Sequence, residues 1–426
     1  MGPDGVLTLK SGLPRFILAA LALHALAFAQ APHKLLVISI DGLDARFLNE
    51  PALKVKAPNI RALMRTGASA TVIGVVPSDT WPSHASLVTG VSPWQNGITV
   101  DNLPSKPGDQ FFSVTALKTT PLWTLATKAG LKVATVYWPS TLGAAVAFDF
   151  PEYWESRQGN AVPYDAIAAR SIPPGIADKV AKMFPAVEKQ LWDDTSSADA
   201  AMYLLSTEQP DVLFVHMADI DAEQRETTAL SIYSREILEN DDDLIGQILK
   251  RVLAGTVVAL LSDHGFETSL RVVRPRVLLR QAGVKGKVEV EDGLMGTSDP
   301  AVAEALRKLM SQGRKSGIAR EVKMAEVKAR APALGRWIAA FDTYQDYVAR
   351  DDDRGAAVGL GPHAGMHGFW PTRPNYRAIL ILNGAGVKPV KLGEIDMLQV
   401  APTLADIIGV KLPAARSQSV WHQITH

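Results

Sequence analysis

"HKLLVISIDG", residues 33–42, is a nearly unbroken apolar run from Leu35 to Ile40 that stops at Asp41-Gly42. A strand with one wet face alternates polar and apolar residues. One that is apolar on both faces belongs in the middle of a parallel sheet. The signature returns at "KVATVYW" (132–138), "DVLFVHM" (211–217), "TVVALLSDHG" (256–265) and "RAILILNG" (377–384). Helical periodicities lie between them, at "NIRALMRTG" (59–67), "TPLWTLATKAG" (120–130), "EILENDDDLIGQILKRVLAG" (236–255) and "DMLQVAPTLADIIGV" (396–410). Strands alternating with helices predict an α/β fold, a mostly parallel sheet with helices on both faces. Ligands of such sheets bind beyond the carboxyl ends of the strands. Asp41, Asp221 and Asp263 all fall at or just past such ends.

Composition narrows the function. The 426 residues are 47% hydrophobic and 21% charged, enough for a large core. Lys plus Arg and Asp plus Glu are both 44, so nothing electrostatic points to nucleic acid. There is no cysteine, which excludes a thiol nucleophile, thiolate metal sites and iron–sulfur clusters. Any metal must sit on His, Asp and Glu.

The first 31 residues read as a signal peptide. Lys10 and Arg15 precede a short apolar run, and "AFAQA" follows with small residues for cleavage. The run is shorter than the roughly 20 residues of a membrane span, so no span is expected after cleavage. The expected destination is the periplasm or the exterior. From about 270 to 350 the α/β pattern lapses into an alternating stretch at 284–293, a short amphipathic helix at 301–310 and a Lys/Arg-rich tract. The expected organisation is a core at 32–268, an inserted cap at 269–352 and the rest of the core at 353–426.

The chemistry-bearing residues cluster at strand ends. "SDHGF" (262–266) sets Asp263 and His264 side by side after an apolar strand, where both can reach one divalent cation. "DIDAEQRE" (219–226) supplies Asp219 and Asp221, and "GMHGFW" (365–370) sets His367 between glycines. In "VPSDTWPSHASLVTG" (76–90), Thr80 stands two residues ahead of Pro82, which suits the first turn of a helix. A helix start attracts anions. Singly, these residues also read as turn formers or caps. Together, carboxylates and imidazoles from several strand ends around one hydroxyl are what metal-assisted phosphoryl transfer requires.

Taken in order, "LLVISIDGLDARFL", "VPSDTWPSHASLVTGVSPWQNGI", "TPLWTLATKAGLKVATVYWPS", "DIDAEQRE", "LLSDHGF" and "GMHGFW" resemble the type I phosphodiesterase/nucleotide pyrophosphatase family of the alkaline phosphatase superfamily. The resemblance implies an alkaline phosphatase-like three-layer α/β/α sandwich with two zinc ions. It implies an exported hydrolase cleaving phosphodiester or pyrophosphate bonds of a small phosphoester, nucleotides among them. Thr80 would be the nucleophile, passing through a phospho-threonine intermediate. Asp41, Thr80, Asp263 and His264 would hold the metal that activates it. Asp221 and His367 would match ligands of the second metal, and Asn102 the asparagine that donates to a phosphate oxygen. Trp81 and Trp138 are candidates for the pocket wall. A phosphomonoesterase or phosphonate hydrolase of the same superfamily is the alternative, since leaving-group pockets decide between them.

One position departs from the pattern. The family carries a histidine ligand four residues after the aspartate matched by Asp221, where this chain has Arg225. Arginine stays protonated and offers only donors, so it cannot ligate a cation. Three outcomes are open. Glu223, His216 or His363 replaces the ligand; Arg225 stands in for the second metal and grips phosphate; or the protein binds phosphoesters without turning them over.

Overall fold

In the computed structural model, which describes residues 33–100, 112–153, 162–189 and 191–425, the quoted run forms a strand, β1 (Lys34–Ile40), within an eight-stranded sheet. Its other strands are β2 (Ala68–Ile73), β3 (Val133–Val136), β4 (Phe148–Phe150), β5 (Val212–Met217), β6 (Thr256–Leu261), β7 (Ala378–Gly384) and β8 (Val390–Asp396). The order across the sheet is β8-β2-β7-β6-β1-β5-β3-β4. Only β7 runs against its neighbours, β2 and β6; the other pairings are parallel. The expected signal peptide and Asn102 lie outside the described residues.

Period-two burial splits β1 between two cores. Leu36, Ile38 and Ile40 face one cluster, with Ile60, Leu238, Ile245 and Ile248 from helices on that side. Leu35 and Val37 face the other, with Leu87, Val88, Trp123 and Leu404. Helices therefore cover both faces, the three-layer arrangement expected from fully apolar strands.

Residues 289–343 build a separate four-stranded antiparallel sheet, with Leu306, Ile318 and Phe341 in a hydrophobic cluster of that region. The alternation at 284–293 becomes one arm of a hairpin, strand Glu289–Glu291 paired with Leu294–Thr297. Strand Glu267–Val273 pairs with both Tyr347–Ala349 and Val358–Met366, so the chain leaves this region on a strand that runs directly to His367.

Candidate active site

Three adjacent parallel strands, β6, β1 and β5, end side by side. Asp263 and His264 follow β6, Asp41 follows β1, and Asp221 lies four residues past Met217. The Asp41-Gly42 turn needs its glycine. Gly42 has φ of +66°, and a Cβ there would meet the Phe266 ring at 2.8 Å. The turn lets the Gly42 N–H donate to Asp263 Oδ1 at 2.9 Å, which locks two strand ends together.

Thr80 comes from the other core. Helix α1 (Thr80–Thr89) takes Asp79 as N-cap and ends on Gly90 in the left-handed conformation. Pro82 falls in the first turn, where its missing N–H costs nothing. Thr80 is therefore the first helical residue and not the cap. The Asp79 side chain makes no cap bond; its Oδ1 accepts from His367 Nδ1 at 2.9 Å.

These elements converge. Thr80 Oγ1 lies 3.4 Å from Asp41 Oδ1 and 3.4 Å from His264 Nε2. His264 Nε2 is 3.5 Å from Asp41 Oδ1, 3.2 Å from Asp263 Oδ2 and 4.0 Å from Asp221 Oδ1. The His264 and His367 rings stack at 4.1 Å, and His367 Nε2 is 3.7 Å from Asp221 Oδ1. Two sets of donor atoms gather within 4.8 Å: Asp41, Asp263 and His264, and Asp221, His264 and His367.

The charge balance favours a cation at the first set. Asp41, Asp221 and Asp263 are all buried. Burial first, and Asp41 second, hold Asp263 well above the ordinary carboxylate range, and burial likewise raises Asp221. Burial also pushes Asp41 upward, but hydrogen bonding to His216 and the charge of His264 more than reverse it, leaving it low. Asp263 Oδ2, 3.2 Å from His264 Nε2, has no hydrogen-bond partner. A buried carboxylate oxygen in that state costs several kcal/mol, a cost that a cation bound there would reduce. Hard oxygen and neutral imidazole donors at this spacing fit zinc or a similar divalent ion.

The second set differs. Helix α2 (Asp219–Glu226) places Arg225 one turn beyond Asp221, and its Nε donates to Asp221 Oδ2. Its Nη2 contacts His367 Nε2. Of the residues considered as replacement ligands, His216 Nε2 is engaged with Asp41 Oδ2 at 3.2 Å and its Nδ1 with Tyr137 O at 3.1 Å. His363 is exposed where strand Val358–Met366 slips register, and Glu223 belongs to neither donor set.

Two residues were not anticipated from sequence. His84 sends Nδ1 to Thr80 O and Nε2 to Ser39 Oγ, each at 2.8 Å. Burial, then the neighbouring His216, pulls its pKa down to about 3. Asp79, not singled out in the sequence, anchors His367. Trp138 packs in the core edge-on to His84 and Phe214, and Trp81 is buried beside Phe112.

A hydroxyl amid carboxylates and imidazoles, at the carboxyl edge of a mostly parallel sheet covered by helices on both faces, defines an alkaline phosphatase-like α/β protein. The chain belongs to the type I phosphodiesterase/nucleotide pyrophosphatase family, whose model matches residues 35–351. Ectonucleotide pyrophosphatase/phosphodiesterase family member 3 of Rattus norvegicus is 25% identical over 254 residues, 56% of this chain and 25% of that protein. Member 5 of Homo sapiens is 26% identical over 272 residues, 61% of this chain and 50% of that protein. A venom phosphodiesterase of Macrovipera lebetinus is 32% identical over 123 residues, 27% of this chain and 14% of that protein. The matched stretches thus span a seventh to a half of these relatives' lengths. Among solved structures, human ectonucleotide pyrophosphatase/phosphodiesterase 5 superposes with a TM-score of 0.60 at 16% identity, covering 92% of this chain and all of that one. The murine counterpart, an inactive variant in complex with AMP, gives 0.59. No helix among the described residues is long and apolar enough to cross a membrane.

Proposed function

We propose that the protein is an exported, metal-dependent hydrolase of phosphodiester or pyrophosphate bonds, with Thr80 as nucleophile. The observation that carries this is the Thr80 hydroxyl, 3.4 Å from both Asp41 and His264 at the start of a ten-residue helix. Asp41, Asp263 and His264, with the Thr80 oxygen, would hold a divalent cation. Bound there, it supplies the Lewis acidity that makes the hydroxyl nucleophilic and neutralises phosphoryl charge.

The chain's own groups do the rest. Thr80 Oγ attacks phosphorus, the bond to the leaving alcohol breaks, and the alcohol departs with a proton. Water then attacks the phospho-threonine, the phosphorus–Oγ bond breaks, and a proton returns to Thr80. The α1 N-terminus, whose first N–H groups have no helical acceptor, favours the phosphoryl oxygens. His84, fixed on the Thr80 carbonyl, holds the nucleophile's backbone.

In the same reading, residues 269–352 act as a cap that selects the leaving group, Asn102 donates to a phosphate oxygen, and residues 1–31 direct export to the periplasm or exterior. The AMP complex of the murine relative makes nucleotides the first substrates to try. The test is hydrolysis of bis(4-nitrophenyl) phosphate. It should fall at least ~10³-fold in Thr80→Ala and on chelation, with return on adding zinc. Zinc uptake without turnover by the wild-type protein would make it a phosphoester-binding protein instead.

A further inference from the structure

Two buried acceptors, Asp221 Oδ2 and His367 Nε2, are bridged by one guanidinium, that of Arg225. Around it, among the described residues, the donors for a second cation run short. The His367 Nε2 lone pair is taken up by Arg225, while its Nδ1 is held by Asp79. The His264 nitrogen nearest Asp221 is Nε2, the same atom that faces Asp41, Asp263 and Thr80. One lone pair binds one cation. Among the described residues that leaves only Asp221 Oδ1, which has no hydrogen-bond partner, and zinc takes three or four protein donors. A divalent ion placed there would also sit against a fixed positive charge.

Resting on the reading of Thr80 given above, we propose that the site works with one metal ion, and that the Arg225 guanidinium takes the place of a second by binding the non-bridging oxygens of the phosphoryl group. The Arg225 side chain is 45% exposed beside an Asp221 that is 9% exposed, so its charge borders solvent while its anchors are inside. Planar, permanently charged and already held at two points, it is preorganised for a phosphoryl group. A chain of contacts links it to the Thr80 hydroxyl: Arg225 meets Asp221 and His367, both of these lie against His264, and His264 lies 3.4 Å from Thr80 Oγ1.

Metal content and anion affinity test this together. The full chain, equilibrated with zinc and desalted, should retain one ion per chain, and anomalous diffraction should place it at Asp41, Asp263 and His264. Arg225→His should retain two, the second at Asp221 and His367. In Arg225→Ala, inhibition by inorganic phosphate should weaken about ten- to a hundredfold, with Arg225→Lys recovering part of the loss. Two ions in the wild-type protein, or phosphate inhibition unchanged in Arg225→Ala, would overturn the proposal. A wild-type chain retaining no ion would instead strike the reading of the Thr80 site on which it rests.

Discussion

His84 shows how a side chain away from the reacting atoms can govern them. Its ring spans from the backbone of the nucleophile to Ser39 in the central strand, with no freedom to turn. Small displacements of an attacking atom are costly, about 10²-fold for 1 Å. His84→Gln is expected to lower kcat ten- to a hundredfold while leaving KM within a factor of about three, measured by steady-state hydrolysis of bis(4-nitrophenyl) phosphate. An unchanged kcat would show the anchor to be dispensable. In sequence His84 was hidden, because it sits in a helix whose every residue is buried, and burial masks a role. Asp79 was hidden differently. An Asp before a helix reads as a cap, and only the fold brings it against a histidine 288 positions away.

Among elements, the contact between α2 and strand Val358–Met366 fixes Arg225 against His367. The approach is so close that a Cβ on Gly365 would lie 2.2 Å from Gln224 O. Gly365→Ala should therefore cost about 1–3 kcal/mol and loosen phosphate binding with it, read by denaturant unfolding and phosphate inhibition. A different signature belongs to β4. Asp149 is buried, with Thr135 Oγ1 donating to it at 2.7 Å, and burial raises its pKa to about 7. A carboxyl raised in the fold binds more protons folded than unfolded. Its effect on stability is absent below about pH 4 and becomes a penalty that grows as pH climbs towards 7, by up to ~4 kcal/mol. Unfolding free energies of wild type minus Asp149→Asn should slope downward across that window and level off above it; a flat difference would contradict the assignment. The long central strands were legible because both faces are apolar. The direction of β7 was not, since a run buried on both faces reads the same in either sense. β4, with three residues, and β8, half exposed, gave too little pattern to see.

For the whole molecule, the site exists only when strand ends far apart in sequence meet. Asp41, Asp221 and Asp263 were legible as strand-terminal acids, and the family resemblance paired them with Thr80 and His367. What sequence lacked was distance, above all that Arg225 reaches both Asp221 and His367. Three buried carboxylates against so few cations should make the fold depend on its metal. A ligand at a thousand times its dissociation constant stabilises by about 4 kcal/mol. Chelation is thus expected to lower Tm by several degrees, restored by zinc. A Tm indifferent to chelation would mean that no cation is held there.

The central claim, a nucleophilic Thr80, is met most directly by rapid quenching during turnover of bis(4-nitrophenyl) phosphate followed by peptide mass spectrometry. The account predicts a 4-nitrophenylphosphoryl group on Thr80 that vanishes in Thr80→Ala together with turnover. An adduct on another residue, or a Thr80→Ala protein that still hydrolyses the diester at the wild-type rate, would contradict it.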